Sequence, residues 1–106
     1  MIGLLAMALA TQEPTLSIST ISSDYLVTEC AKKDGLVMDG CVGYIIGVAD
    51  ALQIDRKTCH NSSGAWTLQT VAVVRKYLRD HPERWDRVPV DLVKEALVQA
   101  FPCASR

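Results

Sequence analysis

The stretch that most constrains this chain is CVGYIIGVADAL, residues 41–52, which is apolar around most of a helical circumference. Two adjacent apolar stripes run along it at helical spacing: Cys41, Ile45, Val48 and Leu52, and Val42, Ile46 and Ala49. A helix that is apolar nearly all round is usually buried. This stretch is also too short to span a membrane, which takes roughly 20 apolar residues. We therefore expect the central helix of a small all-α domain, with other helices packed around it.

A third face of the same helix carries Gly43 and Gly47. Each glycine costs about 1 kcal/mol relative to alanine inside a helix, so another backbone is expected to approach closely on this side. Asp50 shares that face, and two interpretations are open. It is either a solvated carboxylate near the helix end, or it accepts hydrogen bonds from backbone amides of the element packed on the glycines.

The start of the chain is an apolar run that ends in Ala8-Leu9-Ala10 and is followed by polar residues. This ending is a small-x-small cleavage pattern, so we interpret residues 1–10 as the remnant of a secretory signal peptide. The usual basic region is missing, and a native apolar arm is the alternative. Residues 11–21, with Pro14 and many serines and threonines, are predicted to be a flexible arm. Residues 22–106 then form a single domain.

The chain has four cysteines, and an even number in a short exported domain predicts two disulfides. Three pairings are possible, and we favour Cys30–Cys41 and Cys59–Cys103. The first pair would join the first helix to the start of the central one, and the second would join a loop to the end of the last helix. Zinc is a weaker alternative, because His60 and His81 have no regular ligand spacing to the cysteines.

Four helices are predicted. The first runs from about Ser23 to Lys32, with Ser22 or Ser23 as its N-cap. The central helix begins between residues 36 and 40, with Asp39 as the best N-cap, and ends near Gln53 or Ile54.

The last two helices are separated by a charged turn, HPERWDRVP. The third helix is predicted over residues 68–80, with Thr67 as its N-cap and with Arg75, Lys76 and Arg79 on its wet side. Pro89 suits the first turn of the fourth helix, which Pro102 stops. Within the turn, Glu83 and Asp86 alternate with Arg84 and Arg87, a pattern typical of a solvated ion-pair loop. Trp85 either covers the core, which we favour, or is an exposed anchor for a partner.

Composition and motifs argue against several classes of function. The formal net charge is -1 with no basic run, which argues against nucleic acid as a partner. No phosphate loop or dinucleotide fingerprint is present, and no nucleophile–base set can be assembled around the two histidines. We therefore expect a binding protein that needs no cofactor, rather than an enzyme.

The cysteine positions, the CVGYIIGVADAL block, the stretch VVRKYLRDHPERW and the ending LVKEALVQAFPC resemble the Rap/Tai family of type VI secretion immunity proteins. The resemblance covers residues 24–103 and is specific through the combination of these motifs. It implies a small helical periplasmic protein, often dimeric and without a membrane span, that binds and blocks a cognate peptidoglycan amidase effector. A periplasmic stress or chaperone-like helical binding protein is the alternative.

The resemblance also implies roles for particular residues. It gives the four cysteines a structural role as disulfides and makes Gly43, Tyr44, Gly47 and Asp50 a helix-packing signature. Contacts with the effector do not carry over, because no motif marks them. Our hypothesis places them in the two charged loops, residues 55–64 and 81–87. The side chains proposed there are Arg56, Lys57, His81, Glu83, Arg84 and Trp85.

Overall fold

A computed structural model describes residues 19–32, 39–59 and 66–103 of the 106-residue chain. Its four α-helices are α1 (Ser23–Ala31), α2 (Gly40–Ile54), α3 (Trp66–Asp80) and α4 (Pro89–Ala100), and a short 3₁₀ helix (Pro82–Arg84) lies between the last two. No strand occurs in these three ranges. The predicted small four-helix, all-α domain is therefore confirmed.

Two of the helix starts are fixed by the N-caps that the sequence predicts. The Ser22 side chain accepts a hydrogen bond from the backbone N–H of Tyr25 at 3.1 Å, and Asp39 accepts one from Val42 at 3.0 Å. Each side chain satisfies an amide that has no partner within its own helix. α4 begins with Pro89, whose fixed φ suits the first helical position.

Helix α2 contacts each of the other three helices, as α3 also does. Its buried side chains are Cys41, Val42, Ile45, Ala49 and Leu52. They meet Leu26 of α1, Val71 and Val74 of α3, and Leu92, Val93 and Leu97 of α4, all fully or almost fully buried. The central buried helix is thus confirmed, although one side of it is exposed, as described below.

Both favoured disulfides are confirmed. Cys30–Cys41 joins α1 to the first turn of α2, and both of its cysteines are buried. Cys59–Cys103 joins the segment after α2 to the residues after α4, and Cys59 is exposed. One disulfide therefore belongs to the core and the other to the surface.

Helix α3 differs from its prediction in two respects. Among the described residues it begins at Trp66, so Thr67 lies inside the helix and is not its N-cap. Arg75, expected on the wet side, is only 4 % exposed, whereas Lys76 and Arg79 are exposed as predicted. Arg75 shares a cavity lining with Val27, Cys30 and Ala31 of α1, so the apolar stem of its side chain packs toward α1 instead of extending into solvent.

The arm predicted over residues 11–21 is described only at its end. Ile21 packs against the core, and the Ser19 hydroxyl lies 3.3 Å from that of Tyr44 in α2. The other predictions for this part of the chain lie outside the described residues: the predicted signal-peptide remnant over residues 1–10, the rest of the predicted arm, and residues 60–64 of the first charged loop with His60.

Candidate partner-binding surface

The first predicted contact segment follows the C-terminus of α2 in a tightly defined turn. The N–H of Lys57 donates to the Leu52 carbonyl at 2.8 Å, and that of Arg56 donates to Gln53 at 3.0 Å. This pair of bonds is the Schellman arrangement that ends many helices. It places Arg56 in the left-handed region, with φ of 60°, where glycine is the usual residue. Arg56 and Lys57 are both exposed at this end of the domain.

The next residues tie this turn to the end of α4. Thr58 is buried, and the backbone N–H of Cys59 donates to the Phe101 carbonyl at 2.9 Å, beside the Cys59–Cys103 disulfide. The Phe101 ring also meets Trp66 edge-on, with ring centroids 4.9 Å apart. The described part of the first loop is therefore anchored to the body of the domain.

The second predicted contact segment, residues 81–87, is held by Trp85 and by backbone turns. The indole N–H of Trp85 donates to the carbonyl of Leu78 in α3 at 2.9 Å, while 38 % of the residue stays exposed. Trp85 therefore does not fully cover the core, the interpretation that the sequence favours, and it is not a freely exposed side chain either. The hydrogen bond fixes the orientation of its indole ring.

Glu95 of α4 is the centre of a polar network that holds the same loop. Arg84 reaches its carboxylate with two nitrogens, at 2.5 and 3.2 Å, and Tyr77 of α3 donates to it at 2.6 Å. Arg87 lies 3.5 Å away. Burial acts to raise the pKa of Glu95, but the hydrogen bonds from Tyr77 and Arg84 and the two arginine charges outweigh it and hold the pKa below its usual value.

The expected pattern of ion pairs within the loop is therefore wrong in part. Arg84 and Arg87 pair with Glu95 outside the loop, because the loop folds back onto α4. Glu83 instead accepts a hydrogen bond from the ring of His81 at 3.0 Å, and this contact lowers the pKa of Glu83. The His81 ring also packs on Tyr77, with ring centroids 4.4 Å apart.

The glycine face of α2 is open. Gly43 and Gly47 are exposed, and a Cβ built on either would meet nothing within 4 Å among the described residues. The close backbone neighbour expected there is therefore not found in this part of the chain. Asp50 is exposed, in line with the solvated interpretation. The face forms one wall of an apolar groove of about 360 Å³, lined by Gly43, Tyr44, Gly47, Val48, Ala51, Leu52, Asp55 and Val90.

One glycine of α2 does have a close neighbour that the sequence did not suggest. A Cβ on Gly40 would overlap the hydroxyl and the ring of Tyr25. The absence of a side chain at the first residue of α2 therefore lets the α1 tyrosine lie across the helix start.

The two predicted contact segments are not brought together. Arg56 and Lys57 lie by Cys103, beyond the C-terminus of α4, whereas residues 81–87 lead into its N-terminus. The 12 residues of α4 separate them by a helix of roughly 18 Å. A partner that touches both segments would have to lie along the domain rather than at one end of it.

The described residues hold no group of three His, Cys, Asp or Glu side chains that could bind a metal ion. Within the same ranges, no helix is both long enough and apolar enough to cross a membrane.

Comparison with known proteins identifies a family. The sequence profile of the Rap1a immunity proteins matches residues 22–103, which include all four helices and both disulfides. No curated protein and no solved structure gave a significant match. Because the match covers most of the chain, the protein belongs to the family of Rap1a immunity proteins.

Proposed function

We propose that this protein binds and inhibits a peptidoglycan amidase effector of a type VI secretion system and so protects the cell that makes it. The observation that carries the proposal is the family match over residues 22–103. Membership implies immunity to a secreted effector through binding to it. The amidase and the secretion system are the finer part, and they rest on the motif resemblance of the sequence.

The proposed place of action is the periplasm, reached through a signal peptide whose remnant is residues 1–10. The two disulfides support this, because such bonds form and persist in oxidising compartments. Cell fractionation of the tagged full-length protein, with sequencing of the mature N-terminus, tests it. A mature protein that begins near Thr11 in the periplasmic fraction is expected, and a cytoplasmic protein with an intact N-terminus would contradict it.

We also propose that the protein acts as a homodimer, as the resemblance implies. The open apolar groove beside Gly43 and Gly47 supports this, because an uncovered apolar helix face is a surface that a second copy can bury. Sedimentation equilibrium of the oxidised protein at several concentrations gives the answer directly. A monomeric mass at every concentration would contradict the proposed dimer, and the proposal of effector binding would be unaffected.

A binding and inhibition assay tests the central proposal. The oxidised protein is mixed with a candidate cognate effector, namely any amidase-like protein encoded in the neighbouring genes, and both complex formation and release of peptidoglycan fragments are followed. An unrelated peptidoglycan amidase is the matched control. We expect a stoichiometric complex and loss of hydrolysis with the neighbouring enzyme only. Absence of binding by a folded, oxidised sample would overturn the amidase proposal and leave the family assignment in place.

A further inference from the structure

A cavity of about 370 Å³ lies between α1, α3 and the loop over residues 81–87. We call it the Trp85 pocket. Its walls are formed by Val27, Cys30, Ala31, Arg75, Leu78, Arg79 and Trp85. Its size falls within the range of small ligand sites and suits one large side chain. Five of these seven residues are apolar, and two of the five, Cys30 and Leu78, are buried.

The Trp85 ring is ready to receive a partner without rearrangement. Its N–H is already bonded to the Leu78 carbonyl at 2.9 Å, so binding leaves no polar atom of the ring unsatisfied. The ring is fixed in place while 38 % of the residue remains exposed. Tryptophan, tyrosine and arginine are enriched among the few residues that carry most of the binding energy at protein interfaces, and a fixed orientation reduces the entropy lost on binding.

The charge of the Trp85 pocket distinguishes it from its neighbours. Its lining includes two arginines and no carboxylate, whereas three other cavities on the described surface each contain at least one: Asp55, Asp80, or Asp91 with Glu95. Arg79 is exposed and makes no ion pair among the described residues, because the adjacent Asp80 is bound to Lys76 at 2.6 Å. An apolar site with an available guanidinium at its rim favours an apolar group next to a negative charge.

We propose that the Trp85 pocket is the anchor point for the effector, and that it takes a large apolar side chain flanked in the effector sequence by an aspartate or glutamate. The apolar side chain packs against Trp85, and the carboxylate pairs with Arg79. This inference rests on the proposed function and adds to it the site of contact and the chemistry of the segment that binds there.

The first experiment measures effector affinity by calorimetry for three variants. Trp85→Ala removes the anchor, Arg79→Glu reverses the rim charge, and Ala31→Leu fills the pocket from an exposed position at the end of α1. We expect affinity to fall about thirtyfold for Trp85→Ala and at least tenfold for the other two. The matched controls are Leu68→Ala, another exposed apolar residue, and Lys94→Glu, the same charge reversal on α4. Both should bind as the parent does.

A second experiment tests the pocket without the effector. The indole N–H resonance of Trp85 is followed by nitrogen-15 NMR while N-acetyl-leucyl-aspartate is added to millimolar concentration. We expect a saturable shift in the parent protein that Ala31→Leu and Arg79→Glu abolish and Lys94→Glu retains. Trp66 provides an internal control resonance, since it lies against Phe101 at the other end of α3.

The outcomes separate the inference from the proposed function. If the parent binds the effector and the three variants bind equally well, the pocket is not the anchor and the inhibitor function stands. If the parent does not bind the effector, the proposed function is wrong, and the NMR titration still tests whether the Trp85 pocket binds an apolar group next to a carboxylate. The chain's own segment 33–38, which contains Asp34 and Leu36, is the competing occupant. The inference is overturned if Leu36→Ala and Asp34→Asn shift the Trp85 resonance and strengthen peptide binding.

Discussion

The guanidinium of Arg84 donates two hydrogen bonds to the carboxylate of Glu95, from Nη2 to Oε2 at 2.5 Å and from Nε to Oε1 at 3.2 Å. A bidentate ion pair of this kind fixes the relative orientation of the two side chains and also strengthens their interaction. Because Tyr77 donates to the same carboxylate at 2.6 Å, one side chain of α4 holds both α3 and the loop over residues 81–87. The Trp85 pocket therefore depends for its shape on a residue that does not line it.

This relationship predicts that Glu95→Gln lowers the free energy of unfolding at pH 7. Since the folded-state pKa of Glu95 lies below the ordinary value of 4.5, its contribution is fully present above that pH and is lost as the pH falls through the folded pKa. Urea unfolding of parent and variant from pH 7 to about pH 3 should show the difference shrinking toward zero. Asp86→Asn, which neutralises an exposed carboxylate in the loop over residues 81–87, is the control. A difference that persists unchanged at low pH would contradict the prediction.

Local features of the fold could be predicted because they depend on neighbouring residues. Ser22 and Asp39 were recognisable as caps because a short polar side chain before an apolar periodic run satisfies the free amides of a helix start. These caps need no knowledge of the remote packing. The disulfide pairing was different: the sequence favoured one of three possible pairings, and the structure confirms it.

The pairings across the fold could not be predicted in the same way. The pairing of Arg84 with Glu95 depends on the angle at which the loop returns to α4, and nearby Glu83 offered an equally plausible partner in sequence. Burial of Arg75 depends on where α1 crosses α3, and a long charged side chain gives no sign of this. The Trp85 pocket was missed for the same reason, although Trp85 itself was singled out as either a lid or an anchor.

The three glycines of α2 should respond differently to alanine. Gly43→Ala and Gly47→Ala should each raise the free energy of unfolding by up to about 1 kcal/mol, because the new methyl group meets no described residue and alanine is the better helix former. Gly40→Ala should not gain this stability, since its methyl group displaces Tyr25. Combining it with Tyr25→Ala relieves the overlap and is the control.

The same glycine variants also report on the proposed dimer. If a second copy covers this face, Gly43→Ala and Gly47→Ala will weaken self-association while the isolated domain remains folded. Thermal unfolding at low and high protein concentration separates the two effects, because only a dimer gains stability with concentration. Destabilisation of both variants at every concentration would instead show a close neighbour within the same chain.

Arg56 is held in a backbone conformation that favours glycine, and this can be tested by substitution. Arg56→Gly should stabilise the domain by roughly 1 kcal/mol, because glycine adopts the left-handed φ of 60° without a Cβ penalty. Lys57→Gly, at the adjacent exposed position, should destabilise or have no effect. If Arg56 also contacts the effector, affinity will fall in a variant that is more stable than the parent, and calorimetry alongside urea unfolding detects that combination. A loss of stability in Arg56→Gly would contradict the Schellman interpretation.

The two disulfides should open in a fixed order when the folded protein is treated with a dithiol. Cys59 is exposed, whereas Cys30 and Cys41 are buried in the core, so the thiolate reductant reaches Cys59–Cys103 first. Trapping with iodoacetamide and peptide mass spectrometry should therefore find a species labelled only at Cys59 and Cys103.

The two disulfides should also differ in how much they stabilise the fold. In the loop-entropy treatment, the sequence separation of 44 residues in Cys59–Cys103 corresponds to a stabilisation of about 4 kcal/mol, and that of 11 residues in Cys30–Cys41 to about 3 kcal/mol.

The double variant Cys59→Ala with Cys103→Ala should therefore still fold, with a free energy of unfolding lowered by up to about 4 kcal/mol. Its Trp66–Phe101 contact should loosen. The matched variant, Cys30→Ala with Cys41→Ala, loses a core contact as well as the crosslink, so the smaller entropic term understates its cost. Near-ultraviolet circular dichroism and urea unfolding compare the two. Simultaneous labelling of all four cysteines in the parent would mean that reduction waits for global unfolding, and it would contradict the independence of the surface disulfide from the core.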